Sequence, residues 1–160
     1  MPRAKETARS ISMSGDLKIA ARILSEEGQS LVVVRDGRLL FSSRLQGIQP
    51  LLDALDHNVL PGSALADKVV GRAAAMIAVL GEVNAVHSPL MSQEAVDVLS
   101  EAGILHCADK VVEQILNQGG TGPCPLEIAT NFTVIPEKGV MAVRKFLKGM
   151  HGTAPRQHLH

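Results

Sequence analysis

Residues 31–43 read Leu-Val-Val-Val-Arg-Asp-Gly-Arg-Leu-Leu-Phe-Ser-Ser. The segment Leu31 to Arg35, with its unbroken β-branched run Val32 to Val34, predicts a strand buried on both faces. Asp36-Gly37 is a two-residue turn signal, because both positions tolerate the positive φ that a tight hairpin demands. Arg38 to Ser43 then returns as a second strand. A hairpin at this point, followed by alternating helix and strand signals, predicts an α/β chain with a mixed sheet and helices on both faces.

Upstream, Ser14-Gly-Asp-Leu opens a helix. Leu17, Ala20, Ala21 and Leu24 make its buried stripe, and Gly28 closes it. Met1 to Ser14 is polar with no apolar h-region, so it reads as a flexible leader (residues 1–13) rather than a secretion signal. Downstream, Gly47-Ile-Gln-Pro50 starts a short helix through Leu55, with Pro50 in its first turn. Asn58 to Ala64 is a loop. Asp67 to Leu80 reads as the strongest helix, with Gly71, Ala74, Ala75 and Ala78 forming a small-residue face. Val83 to Val86 is a strand. Ser92 caps a helix whose stripe is Ala95, Val98, Leu99 and Ala102. Ile104 to Cys107 is a short strand and Lys110 to Leu116 a short helix. A glycine-rich loop over 118–123 precedes a brief helix from Cys124 to Thr130. Pro136 to Lys148 is a terminal helix, and 151–160 a loose tail. Residues 14–150 therefore form one domain.

Composition narrows the function classes. The 160 residues hold sixteen basic and sixteen acidic side chains, so the electrostatic footprint of a nucleic-acid binder is missing. With no Trp or Tyr and three Phe, stacking platforms for single strands are missing too. No apolar stretch is long enough to span a bilayer. Two cysteines, Cys107 and Cys124, do not build a disulfide framework, and a cytoplasmic, reducing setting is the simple expectation.

Candidate chemistry gathers at two helix starts. Pro125 suits a first helical position, which puts Cys124 at the N-cap. Unpaired N–H groups there favour a thiolate, whereas Glu127, at the capping-box position, disfavours it. Asp67 is placed to cap the small-faced helix. Lys68, in a first turn against the helix dipole, could hold a phosphate or act as a nucleophile. His87, Ser88 and Ser92 follow a strand end, where open α/β sheets often bind ligands. His106 and Cys107 are adjacent, so on a strand they point to opposite faces and do not share an ion. His151, His158 and His160 fall in the tail. No spacing typical of zinc sites, Walker loops or dinucleotide fingerprints occurs, so no metal and no cofactor are expected.

The strand Leu31 to Val34, the segment Gly47-Ile-Gln-Pro-Leu-Leu52, the run Ala66-Asp-Lys-Val-Val-Gly-Arg-Ala-Ala-Ala75 and Cys124-Pro-Leu-Glu127 resemble an uncharacterised family with a cytidine-deaminase-like fold. The resemblance runs from about Asp16 to Thr130. It implies a three-layer α/β/α sandwich with a mixed sheet and no zinc site. Working deaminases carry His-x-Glu or Cys-x-Glu at one helix start and Pro-Cys-x-x-Cys at the next, with the glutamate moving protons. Here those places read Ala66-Asp67-Lys68 and Ser88-Pro-Leu-Met-Ser92, so zinc-dependent deamination is not expected. The implied pocket brings Asp67, Lys68, Ser88 and Ser92 together, with Cys124 and Glu127 nearby. The expected function is non-hydrolytic binding of a nucleotide-like or phosphorylated small molecule. Covalent chemistry at Cys124 or Lys68, with Glu127 or Asp67 as proton carrier, is the enzymatic alternative. A protein-interaction module using the small-residue face is the third, and homodimerisation is compatible with such a fold.

Overall fold

The computed structural model describes residues 15–117 and 119–158, with backbone alone for 151–158. The leader expected over 1–13 and the last two residues of the tail lie outside it.

Among the described residues, six strands form one mixed sheet: β1 (Leu31–Arg35), β2 (Arg38–Ser43), β3 (Ala64–Asp67), β4 (Val69–Val70), β5 (Ala85–Ser92) and β6 (Leu105–Val112). The helices are α1 (15–26), α2 (Gln49–Asp56), α3 (Arg72–Leu80), α4 (Gln93–Glu101), α5 (Pro125–Thr130) and α6 (Pro136–His158). β1 pairs antiparallel with both β2 and β3. β3 and β4 run one after the other along β5, both parallel to it, and β6 pairs with β5 in parallel. The hairpin forms as read: Asp36 and Gly37 both adopt positive φ (54° and 75°). Their N–H groups donate to Asp16 of α1 at 3.0 and 2.9 Å, which ties the first helix to the turn.

The alternation along β1 separates two cores. Val32 and Val34 join Ala66 under Ala20 and Leu24 of α1. Leu31 and Val33 face the larger core, with Leu65, Val86, Ile77 and Leu99. Both faces of β1 are thus buried, as its β-branched run predicts, and the three-layer α/β/α arrangement with a mixed sheet is present.

Four expectations change. The run Asp67 to Leu80 is not one helix: Asp67 ends β3, Val69–Val70 is a short strand, and the helix starts only at Arg72. The β-branched pair followed by Gly71 suits sheet pairing with Leu90 and Met91 better than a helix turn. The strand expected over 83–86 is β5, which runs Ala85–Ser92 and takes Ser88 into the sheet. The helix expected over 110–116 is absent; Lys110 to Val112 prolongs β6 against Leu90 to Ser92. Helical backbone also continues to His158, where a loose tail from His151 is expected.

Helix α3 is the hub. Ala73 to Ala78 are all buried, so the small-residue face is covered by the chain's own elements. The close approach is visible at Gly139 of α6, where an added Cβ would collide with the sulfur of Met76.

Candidate functional site

The start of α3 lacks a local cap. Gly71, the N-cap residue, is extended (φ −100°, ψ −170°) and has no side chain to offer. The cap comes from elsewhere. The Glu127 carboxylate accepts from the N–H of Arg72 at 2.7 Å and of Ala73 at 3.2 Å, satisfying two orphan donors across 55 and 54 residues of chain. An added Cβ at Gly71 would stand 2.7 Å from the Glu127 carboxyl carbon, so any side chain there must displace that carboxylate. Glu127 is 8% exposed. Burial raises its pKa, the two N–H donors oppose that, and Glu94 raises it further. The local capping box expected at Cys124 is therefore not formed. Glu127 caps α3 instead, and the Cys124 N–H donates to the Ile115 carbonyl at 2.9 Å. Cys124 is the N-cap residue of α5, as expected, but its sulfur makes no cap bond.

Arg72 completes the junction of helix starts. Its guanidinium pairs with Glu94 in the first turn of α4 and donates to the Thr133 carbonyl at 3.3 Å. Ser92 caps α4 by accepting from the Ala95 N–H at 3.1 Å. The side chains at the two helix starts are thus locked to one another.

Beside this junction lies a cavity of about 320 Å³. Ile48, Ala73, Ala74, Ile115 and Leu126 supply its apolar walls; Asp67, Lys68, Cys124 and Glu127 bring its titratable groups; Ser30 and Gly71 also line it. Sheet pairing fixes Asp67 opposite Leu31. Lys68 is the single residue between β3 and β4, held by its N–H donating to the Ser30 carbonyl at 3.1 Å, with its side chain exposed at the rim. Asp67 takes part in neither of the ion pairs of the described residues, Arg72–Glu94 and Arg144–Asp56. Burial pushes its carboxyl pKa up to about 7, against the opposing N–H groups of Val69 and Lys68.

Asp67, Lys68, Cys124 and Glu127 are thus brought together. Ser88 and Ser92 are not among the residues lining the cavity. Ser88 is fully buried in β5 and spends its hydroxyl on the Leu90 carbonyl and N–H. Nor does Asp67 cap α3. His106 and Cys107 pair with Val86 and His87 in consecutive registers, as neighbours pointing to opposite faces do. Among the described residues, no three His, Cys, Asp or Glu side chains gather closely enough to hold a metal ion. Arg72, Glu94 and Ser30 carry no local signal that would mark them as site residues. Gly71 is flagged by its place after Val69-Val70, whereas nothing local points from Glu127 to α3.

Chemically, the cavity is an apolar enclosure with one carboxyl that changes charge near neutrality. Two carboxylates against one lysine make its interior a poor place for an anion. A negative group fits only at the Lys68 rim.

A family model described as TM1506, domain of unknown function (DUF1893), matches residues 19–147. The crystal structure of the DUF1893 protein TM1506 from Thermotoga maritima is similar over 82% of this chain and 89% of that one, with 26% identity and a TM-score of 0.76. The apo dCMP deaminase of the cyanophage S-TIM5 aligns over 64% of this chain and 97% of its own, at 13% identity and a TM-score of 0.40. No curated protein matches.

Proposed function

The chain belongs to the DUF1893 family, and from that premise we propose that it is a small-molecule-binding domain whose ligand is nucleotide-like. A flat, hydrogen-bonding ring system occupies the cavity against Asp67, and a negatively charged end rests at Lys68. The observation that carries this reading is the Asp67 carboxyl, partly buried in the lining of a largely apolar cavity and outside both ion pairs of the described residues. Such a group costs stability unless something else uses it, and perturbed carboxyls of this kind concentrate at functional sites. The cavity volume falls within the usual range for small-ligand sites, about 300–1,000 Å³.

Calorimetric titration with nucleosides and their monophosphates tests it. Asp67→Asn is expected to weaken every binder by about tenfold or more, the worth of one hydrogen bond to a charged group. Lys68→Ala is expected to weaken only the phosphorylated members. A panel with no binder, or binding indifferent to both substitutions, contradicts the reading.

Cys124 shares the cavity with Asp67 and Lys68, which supports a second reading. A thiol beside a carboxyl that can carry a proton is the minimal equipment for covalent catalysis.

A further inference from the structure

A second cavity lies on the other face of the sheet. Helix α1 packs there on β1 and β3, with Ala20 and Leu24 against Val32, Val34 and Ala66. Further along the same face, Leu105, Cys107 and Asp109 stand exposed at alternate positions of β6. Between α1 and these strands is a cavity of about 410 Å³. Arg22 and Glu26, one helical turn apart on α1, line one side of it; His87 and Pro89 of β5 and Asp109 of β6 line the other. None of Arg22, Glu26, Lys68 and Asp109 is in an ion pair of the described residues.

Lys68 lines both this cavity and the one that holds Asp67. Sheet register explains the double role. Val69 pairs with Leu90, which sets Lys68 level with Pro89. Ser88 and Leu90 pair with Ala108 and Lys110, which sets Pro89 level with Asp109. Lys68, Pro89 and Asp109 thus form one row across the sheet, with Lys68 and Asp109 two strand spacings apart, about 10 Å. β1 begins at Leu31, level with Asp67. Beyond that point, among the described residues, β4 pairs with β5 alone, and Val69 is exposed. The sheet therefore stops separating the two cavities beside Lys68.

The two linings differ in chemistry. The Asp67 cavity is largely apolar and suits a ring. The second carries charges of both signs, Arg22 and Lys68 against Glu26 and Asp109, together with His87. An anion beyond Lys68 would meet two carboxylates. Hydroxyl groups suit such a lining, because each donates to a carboxylate and accepts from a guanidinium or imidazole N–H. We infer, on the premise that the first cavity holds a nucleotide-like ligand, that this ligand continues past Lys68 into the second cavity and is a nucleotide sugar. Its phosphate bridge lies at Lys68, and its sugar hydroxyls bond to Glu26 and Asp109, with Arg22 and His87 as donors.

Calorimetric titration of the full chain with two pairs of probes tests this: uridine diphosphate against uridine diphosphate glucose, and adenosine diphosphate against adenosine diphosphate ribose. One sugar-bearing probe is expected to bind about tenfold or more tighter than its own diphosphate, the worth of a hydrogen bond to a charged group. In the double variant Glu26→Ala plus Asp109→Ala, that ratio should fall to about one. Both positions are exposed, and circular-dichroism melts verify that the variant folds. Asp67→Asn should weaken both members of a pair alike. Diphosphates that bind through Asp67 while the sugar adds nothing, or a gain that survives loss of both carboxylates, overturn the nucleotide sugar and leave the nucleotide-like reading standing. Failure of all four probes to bind overturns both.

Discussion

Asp67 carries a cost to the fold that depends on pH. Its folded pKa is raised from 3.8 to about 7, mainly by burial. Between those values the folded chain keeps a proton that the unfolded chain releases, so stability is fully present below about pH 3.8 and is lost as pH rises towards 7. Asp67→Asn removes that loss. Thermal melts should show the variant more stable than the parent above pH 7 by about 1–3 kcal/mol, after discounting for the part of the side chain that reaches solvent. The difference should fade as the pH falls to 4. A variant less stable than the parent at pH 8 would mean that the carboxylate has a stabilising partner. Asp67 and Lys68 draw attention in the sequence as the cap and first turn of a helix, and that place is not the one they take. Alanine-rich periodicity conceals that Asp67 pairs with Leu31 in a sheet.

At the scale of elements, α3 is where distant parts of the chain meet. Its side chains are small enough for α4 and α6 to pack closely, and its first turn depends on a carboxylate from α5. Glu127→Gln should cost about 1–2 kcal/mol, comparable to loss of an N-cap. Gly71→Ala should cost about 1–3 kcal/mol, because the added methyl must push aside a carboxylate pinned by two N–H groups. Chemical denaturation of both variants and of the double variant checks this. The two effects should be markedly non-additive, since both substitutions disturb one contact. Additive losses would mean that the two substitutions act through different contacts. The helices α2 and α4, the hairpin and the N-cap role of Cys124 are legible because each rests on a local signal: a proline, a Ser cap, an Asp-Gly turn. The boundaries of α3, β5 and β6 are not, because parallel pairing over Leu90 to Ser92 decides them, and pairing partners lie far apart in sequence.

For the whole molecule, the alternation along β1 between two separate cores sets the layers. That pattern is readable in the run Leu31 to Arg35 itself, whose β-branched side chains leave neither face suited to water. The cavity is harder to read, because it forms where β3, α3 and α5 meet around Glu127. The family resemblance assembles Asp67 and Lys68 with Ser88 and Ser92 and sets Cys124 and Glu127 nearby, whereas the cavity is lined by Asp67, Lys68, Cys124 and Glu127 without the two serines. If this enclosure exists to hold a small organic molecule, that molecule should travel with the protein. Native and denaturing mass spectrometry of the freshly purified chain, beside Asp67→Asn, tests that most directly. The expected result is a mass carried by the native parent, lost on denaturation and depleted in Asp67→Asn. If the mass survives denaturation and maps to Cys124 or Lys68, the covalent reading takes its place. An empty parent chain, or a bound mass that Asp67→Asn retains in full, would contradict a ligand-holding role for the cavity.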